Sequence, residues 1–142
     1  MRNKRVSQIH RRIERMPKVQ KFLSSKRRSA LNTVIGYKTS LAYFQKFLTD
    51  EHDDLTLETI IELLIRREYD VYDLLDQFVN HLQNIKISQL SVHQYLTGIK
   101  SYFLYNDIDI VHAKFKRRVT IPKIVQEEEQ AIDQDDIRNI LL

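Results

Sequence analysis

Two lines of small and polar residues recur along the chain at helical spacing, and lysines and arginines lie near both. Thr33, Gly36 and Ser40 follow steps of three and four, which place residues on one face of a helix. The second line consists of Ser91, Gln94, Gly98 and Ser101. Hydroxyls and amides beside basic side chains are typical of surfaces that position phosphate groups and make limited contact with bases.

Basic residues supply the charge that such a surface needs. Three consecutive bases precede the first line, and Lys38 and Lys100 lie on the two predicted helices. Helix N-termini add free N–H groups and partial positive charge, which also suit phosphates. The predicted DNA-contact residues are Lys26, Arg27, Arg28, Thr33, Gly36, Lys38, Ser91, Gln94 and Lys100, helped by Lys114, Lys116, Arg117 and Arg118. Gln94 is the predicted base reader among them.

Gly36 and Gly98 are the two glycines of the chain, and both lie inside predicted helices. A glycine inside a helix costs about 0.5–1 kcal/mol relative to alanine, so each should allow something to approach closely. One interpretation is that another helix packs there. The other is that a DNA backbone or groove edge lies there, and the spacing leaves both open.

Other chemistry is poorly supported by the sequence. The chain has no cysteine, and its five histidines lack metal-binding spacing. Its seven tyrosines lie mostly at core-like positions, away from any arginine–histidine cluster. The three glutamates at 127–129 indicate a solvated linker more than a metal site. We therefore expect no catalysis by this chain, no metal or other cofactor and no small-molecule substrate.

The charge is unevenly distributed, although the net charge is only +4. Residues 1–28 carry eleven lysines or arginines and one acid, whereas residues 50–76 carry ten acids and two bases. The basic segments suit a polyanion, which the acidic middle would repel. No apolar run approaches the roughly 20 residues of a membrane span, so no membrane partner is expected. The basic N-terminus lacks the apolar core of a secretory signal, and we expect a cytoplasmic protein.

Apolar stripes predict an all-α fold built as a compact bundle of four main helices. These helices are predicted at 32–48, 56–67, 70–84 and 88–106, after two shorter ones at 6–16 and 17–25. The predicted core includes Tyr37, Phe44, Phe78, Leu96 and Phe103. Residues 109–131 are predicted to be an extended linker, because Val119, Ile121 and Ile124 alternate around Pro122. A new helix is predicted to begin at Asp133.

Three motifs, in this order, resemble tyrosine recombinases, also called phage integrases. The opening of their core-binding domain is matched by Asn32, Thr33, Tyr37, Lys38, Leu41 and Phe44. A second family motif is matched by Ser91, Leu96, Gly98, Lys100, Tyr102 and Phe103, although the family usually has arginine where Lys100 stands. The family's entry into the catalytic domain is matched by Ile132, Asp136, Ile137, Leu141 and Leu142. The Asn-Pro that usually follows the last core helix is replaced by DIDIVHAKF.

The resemblance covers residues from about 19 onward and implies a domain organisation. Residues 1–18 would be a basic N-terminal extension, 19–108 a SAM-like core-binding domain, 109–131 the linker, and 132–142 the start of a catalytic domain. In this family two helices of the core-binding domain face the major groove, here those of Gly36 and Gly98. The implied partners are double-stranded DNA and other recombinase protomers, and the cutting residues belong to the catalytic domain.

Two other functions remain compatible with the residues. The chain is alternatively a stand-alone helical DNA-binding regulator, or a helical protein-interaction module without DNA binding. For a protein-interaction module, the acidic residues between 50 and 76 would form the binding surface. Steep salt dependence separates DNA binding from the protein-interaction alternative.

Overall fold

The computed structural model describes the backbone of residues 2–29 and 31–123. Within these ranges the chain forms seven α-helices and no strand, which confirms the predicted all-α class. The helices are α1 Arg2–Glu14, α2 Pro17–Ser29, α3 Leu31–Glu51, α4 Leu57–Ile65, α5 Val71–Asn84, α6 Gln89–Tyr105 and α7 His112–Arg118. Residues 124–142 lie outside the described ranges, as do the helix predicted from Asp133 and the segment 132–142.

Polar caps set where the central helices begin. The Thr56 side chain accepts from the Thr59 N–H before α4, as its sequence position predicted. Asp70 and Ser88 cap α5 and α6 in the same way. Three of the turns that follow these helices use non-glycine residues with positive φ, namely Arg67, Lys86 and Asp107. Neither glycine has a positive φ, so neither forms a left-handed turn.

The core is centred on α3 and holds a cluster of aromatic rings. The Phe44 ring packs edge-to-face on those of Phe78 and Phe103, with centroids 4.9 and 5.5 Å apart. Phe44, Phe78, Leu96 and Phe103 are buried, as predicted. The prediction for Tyr37 is wrong, because its ring is only partly buried. One side of it meets Phe22, and the residue also lines a groove described below.

Helices α1 and α2 pack against α3 and enlarge the predicted four-helix bundle. Ile13, Val19 and Phe22 are completely buried. Phe22 contacts Tyr102 of α6 edge-to-face at 5.3 Å. Ile13 belongs to the segment 1–18 that is predicted as an N-terminal extension, so this segment contributes to the same core as α3–α6.

The linker prediction is wrong for residues 112–118, which form α7 instead of an extended strand. Burial explains the difference, because Phe115 and Val119 insert into the core. Polar contacts anchor both flanks, since the Val111 N–H donates to Tyr72 Oη and the Thr120 N–H donates to Asp76 Oδ1, each at 2.9 Å. The proline that indicated extended chain lies beyond the helix, at position 122.

Helices α3 and α6 form the most extensive helix pair, and Gly98 lies where they cross. A Cβ atom at position 98 would lie 2.5 Å from Ser40 Cβ, closer than two side chains tolerate. Gly98 thus serves the packing of two helices, which is one of the two interpretations that its spacing left open.

We predict that Phe78→Ala lowers the free energy of unfolding by about 3–5 kcal/mol, because it removes a fully buried ring. Urea denaturation followed by circular dichroism measures this loss. The exposed neighbour Asn80 provides the control, because Asn80→Ala should change stability by less than about 0.5 kcal/mol. A loss below about 1 kcal/mol for Phe78→Ala would contradict the packing described for α5.

We predict opposite effects of alanine at the two glycines. Gly36→Ala should stabilise the fold by about 0.5–1 kcal/mol, since a Cβ there meets no atom within 4 Å. Gly98→Ala should destabilise it by about 1–3 kcal/mol through overpacking against Ser40. Adding Ser40→Gly should recover part of that loss, which a double-mutant cycle measures. Additive effects would show that the two positions are not in contact.

Candidate nucleic-acid interface

A groove of about 600 Å³, open to solvent, lies between α3 and α6. It is lined by Thr33, Gly36, Tyr37, Thr39 and Ser40 of α3 and by His93, Gln94, Tyr95, Thr97 and Gly98 of α6. The structure therefore brings together Thr33, Gly36 and Gln94 of the predicted DNA-contact residues. They come from two helices that are far apart in sequence, as the two lines of residues required.

The two glycines play different parts in this groove. Gly98 lies at its floor, against Ser40, and is buried. Gly36 is exposed, and open space extends beyond the position of its absent side chain. A glycine lowers the stability of the helix that contains it. At Gly36 no close helix contact explains that loss, because a Cβ built there meets no atom within 4 Å. Gly36 keeps this part of α3 free of side-chain bulk, so a ligand can reach the helix backbone.

Six polar or aromatic groove residues were not in the predicted set of DNA-contact residues: Tyr37, Thr39, Ser40, His93, Tyr95 and Thr97. Helical spacing contained the signal for two of them, since Thr39 follows Gly36 by three positions and Thr97 follows Gln94 by three. Both hydroxyls donate to the carbonyl four residues earlier, at 3.0 and 2.9 Å. Their oxygens are therefore left to accept hydrogen bonds, while the exposed amide of Gln94 provides donors as well as an acceptor.

Basic residues from α2 lie next to the Tyr37 side of the groove. Lys26 Nζ lies 5.3 Å from the ring centroid of Tyr37 and 5.6 Å from that of Phe22. Arg27 and Arg28 are exposed in the last turn of α2. Cation–π contact holds Lys26 beside the groove, so together with Arg27 and Arg28 it brings three bases to this end.

Lys38 and Lys100 are bound elsewhere, which corrects the prediction that they share a face with Gly36. Lys38 forms an ion pair with Glu14 of α1. Lys100 Nζ lies 4.0 Å from the ring centroid of Phe115, on α7, and burial lowers its pKa. Neither residue lines the groove. The two lysines instead join α1 to α3 and α7 to α6.

Of the four bases of α7 that are predicted to contact DNA, only some are available to a ligand. Arg118 donates to Asp73 Oδ1 at 2.8 Å and pairs with Asp70 Oδ2 at 3.1 Å. Burial raises the pKa of Asp70, but hydrogen bonds from the Asp73 and Tyr72 N–H groups and from Arg118 outweigh it and leave this pKa low. Lys114 borders a hollow whose wall includes Asp107 and Asp109. Lys116 and Arg117 are exposed and have no ion pair with a described residue, so they are the α7 bases available to a phosphate.

Ser91 does not line the groove. It lies in the first turn of α6, where its N–H donates to Ser88 Oγ at 3.2 Å, and its side chain is partly buried. The hydrogen bond caps the helix and fixes the direction of its first turn. The predicted line of Ser91, Gln94 and Gly98 is therefore only partly a groove face.

The seven tyrosines and three of the histidines, His52, His81 and His93, are engaged in structural contacts. Tyr102 is completely buried, burial raises its pKa, and its hydroxyl donates to the Leu57 carbonyl at 2.9 Å. His81 contacts Glu51 at 2.6 Å, and His93 contacts the Pro122 carbonyl at 2.9 Å. Within residues 2–29 and 31–123 no cluster of three potential metal ligands is found. None of the helices in that part of the chain has both the length and the apolarity of a membrane span.

Comparisons with protein-family models, with curated proteins and with solved structures find no match to this chain. The resemblance to tyrosine recombinases consequently rests on the three sequence motifs alone. What the structure adds is the geometry of the two helices on which two of those motifs lie.

Proposed function

We propose that this chain is a DNA-binding domain that grips duplex DNA through the groove between α3 and α6. The observation that carries the proposal is the open position of Gly36, in a groove that also holds Gln94 and ends beside Lys26. A bare helix backbone, a flexible amide and a group of bases are what close approach to a polyanion requires. No packing contact described here accounts for that combination.

The proposed residues divide into two roles. Lys26, Arg27 and Arg28 contact phosphates at the α2 end of the groove, where their charge is exposed or held beside aromatic rings. Lys116 and Arg117 of α7 supply further phosphate contacts. Gln94 contacts a base, because a side-chain amide can donate to and accept from one base edge. Loss of a phosphate contact weakens binding to every sequence alike, whereas loss of Gln94 changes sequence preference.

The wider proposal follows the three motifs. The chain acts as the SAM-like core-binding domain of a tyrosine recombinase or integrase, and α3–α6 are its four main helices. It clamps the target DNA while a catalytic domain, together with other recombinase protomers, exchanges strands. This chain contributes DNA binding and no catalytic group of its own, needs no cofactor, and works in the cytoplasm.

A specific observation favours the protein-interaction alternative. A hollow of about 450 Å³ between the ends of α4 and α6 exposes Ile65 and Val111, with exposed fractions of 59% and 49%. Charged residues of both signs line the hollow beside these apolar side chains: Asp70, Asp107, Asp109, Arg67 and Lys114. Apolar exposure with a polar rim is typical of protein docking surfaces, so a partner protein segment is the second candidate ligand.

Gly36→Leu tests the groove directly. We predict that it leaves folding intact, because the added side chain enters open space, but lowers affinity for duplex DNA at least about tenfold by blocking the groove. Fluorescence anisotropy with a labelled duplex measures binding, and urea denaturation measures folding. Asn80→Leu is the matched control, because it adds the same side chain to an exposed position on α5.

The outcomes of that test lead to different conclusions. If Gly36→Leu unfolds the protein, position 36 is a packing site and the groove loses its main support. Unchanged folding with unchanged DNA binding rejects both explanations of this glycine. Wild-type binding must also weaken steeply with salt, because phosphate contacts release counterions. A flat salt dependence would favour the protein-interaction alternative.

We predict further that the chain alone forms no covalent adduct with DNA. Its described tyrosines are in structural contacts, as Tyr102 shows by its complete burial. Incubation with a nicked or suicide duplex, followed by denaturing gel electrophoresis, detects a tyrosyl–DNA bond if one forms. A trapped adduct would overturn the assignment of this chain to DNA binding without catalysis.

A further inference from the structure

The outer side of α2 carries basic residues beyond Arg27 and Arg28, which the proposed groove contact already uses. The exposed residues of α2 recur at positions 17, 20, 21, 24, 27 and 28, so they form one continuous helix face. We call the surface formed by Arg15, Gln20, Lys21, Ser24, Arg27 and Arg28 the α2 face. Every one of these side chains can donate a hydrogen bond, and none is acidic.

The charge of the α2 face is not balanced by nearby acids. Glu14 is the only acid within residues 2–29, and it pairs with Lys38 of α3. Glu58 of α4 accepts from the Lys18 backbone N–H at 2.9 Å, at the start of α2. Arg15 and Lys21 have no ion pair with any residue that the structure describes. The dipole of α2 favours bases in its last turn, which accounts for Arg27 and Arg28 but not for Lys21.

Contacts at both ends fix the position of α2, and the contact of its last turn lies beside the groove, with Lys26 on the opposite side of α2 from the α2 face. At the start of α2, Gln20 Nε2 donates to the Glu14 carbonyl at 2.8 Å, which draws the turn containing Arg15 against this face. Near the end of α2, Lys26 lies over Tyr37, a groove residue. A ligand that follows the groove past Tyr37 therefore meets α2.

The length of the α2 face fits a phosphate backbone. Lys21 and Arg28 are seven residues apart, which corresponds to about 10 Å along a helix. Neighbouring phosphates of one strand of B-DNA lie farther apart than its axial rise of about 3.4 Å, because the strand winds around the axis, so this distance reaches about two phosphates. The spacing of the bases thus matches a short run of one strand.

We propose that the α2 face is a second contact surface for the phosphate backbone of duplex DNA, which shares Arg27 and Arg28 with the groove and extends beyond it through Arg15 and Lys21. It holds the DNA segment next to the one that occupies the groove, and it contributes affinity without reading sequence. This inference rests on the proposed DNA binding by the groove. The two surfaces are nevertheless separable by experiment, because Arg15, Lys21 and Ser24 lie outside the groove lining.

The absence of cysteine makes a proximity experiment possible in the full chain. A single cysteine at Ser24→Cys reports on the α2 face, one at Thr33→Cys reports on the groove, and one at exposed Asn80→Cys is the control. Each carries a tethered iron–EDTA group and is mixed with a duplex of roughly 30 base pairs, about three helical turns. We expect Ser24→Cys and Thr33→Cys to cleave the DNA at neighbouring positions, and Asn80→Cys to leave it intact.

The cleavage patterns show whether the proposal for the α2 face fails, the proposal for the groove fails, or both fail. Cleavage from Thr33→Cys alone would overturn the α2 face and leave the groove. Cleavage from Ser24→Cys alone would support the α2 face and overturn the groove as the main site. Cleavage from neither position would overturn both, and equal cleavage from all three would show non-specific association and would also overturn the α2 face.

A charge-neutralising variant gives an independent measure. Arg15→Gln with Lys21→Gln should lower the slope of log affinity against log salt by about 1.8, because two phosphate contacts are lost. Lys86→Gln, at an exposed lysine outside both surfaces, should leave the slope unchanged. Circular dichroism checks that both variants fold. An unchanged slope in the folded double variant would overturn the α2 face.

Discussion

The crossing of α3 and α6 at Gly98 is the constraint on which the other features depend. Ser40 occupies the space that a side chain at position 98 would need, so the helices approach more closely there than two side chains allow. The two helices present one side to the core, where Phe44 packs against Phe103. On their other side lies the open groove that contains Gly36. A change in the crossing would therefore disturb the core and the groove together.

The sequence predicted the helices well because apolar spacing and polar caps are local signals. Thr56 was identified as a cap from its position alone, and Phe44 and Phe78 were placed in the core by helical periodicity. Residues 112–118 were misassigned because their burial depends on Phe115 meeting other helices, which no local pattern records. The α-helical spacing of Gly36 and Gly98 was equally clear, but only the fold distinguishes the exposed one from the buried one.

The candidate site was harder to predict because a basic residue has more than one use. Lys38, Lys100 and Arg118 carry the residue types expected of phosphate ligands, yet each is engaged within the protein by Glu14, Phe115 or Asp73 respectively. Sequence gives the charge of a residue but not its partner. Basic residues that form no ion pair with a described residue are therefore the more informative set, and they include Arg15, Lys21, Lys116 and Arg117.

The anchoring of α7 determines how the protein should respond to salt. Arg118 forms its ion pairs at the surface, where such pairs contribute little and are screened. Phe115 is 5% exposed, and burying a phenylalanine side chain contributes about 1.5–3 kcal/mol, so the apolar contact dominates. Salt weakens contacts with phosphates, whereas apolar burial is not screened by it. Rising salt should consequently release a bound polyanion while α7 stays docked, so loss of DNA binding in salt would reflect the interface and not unfolding of this helix.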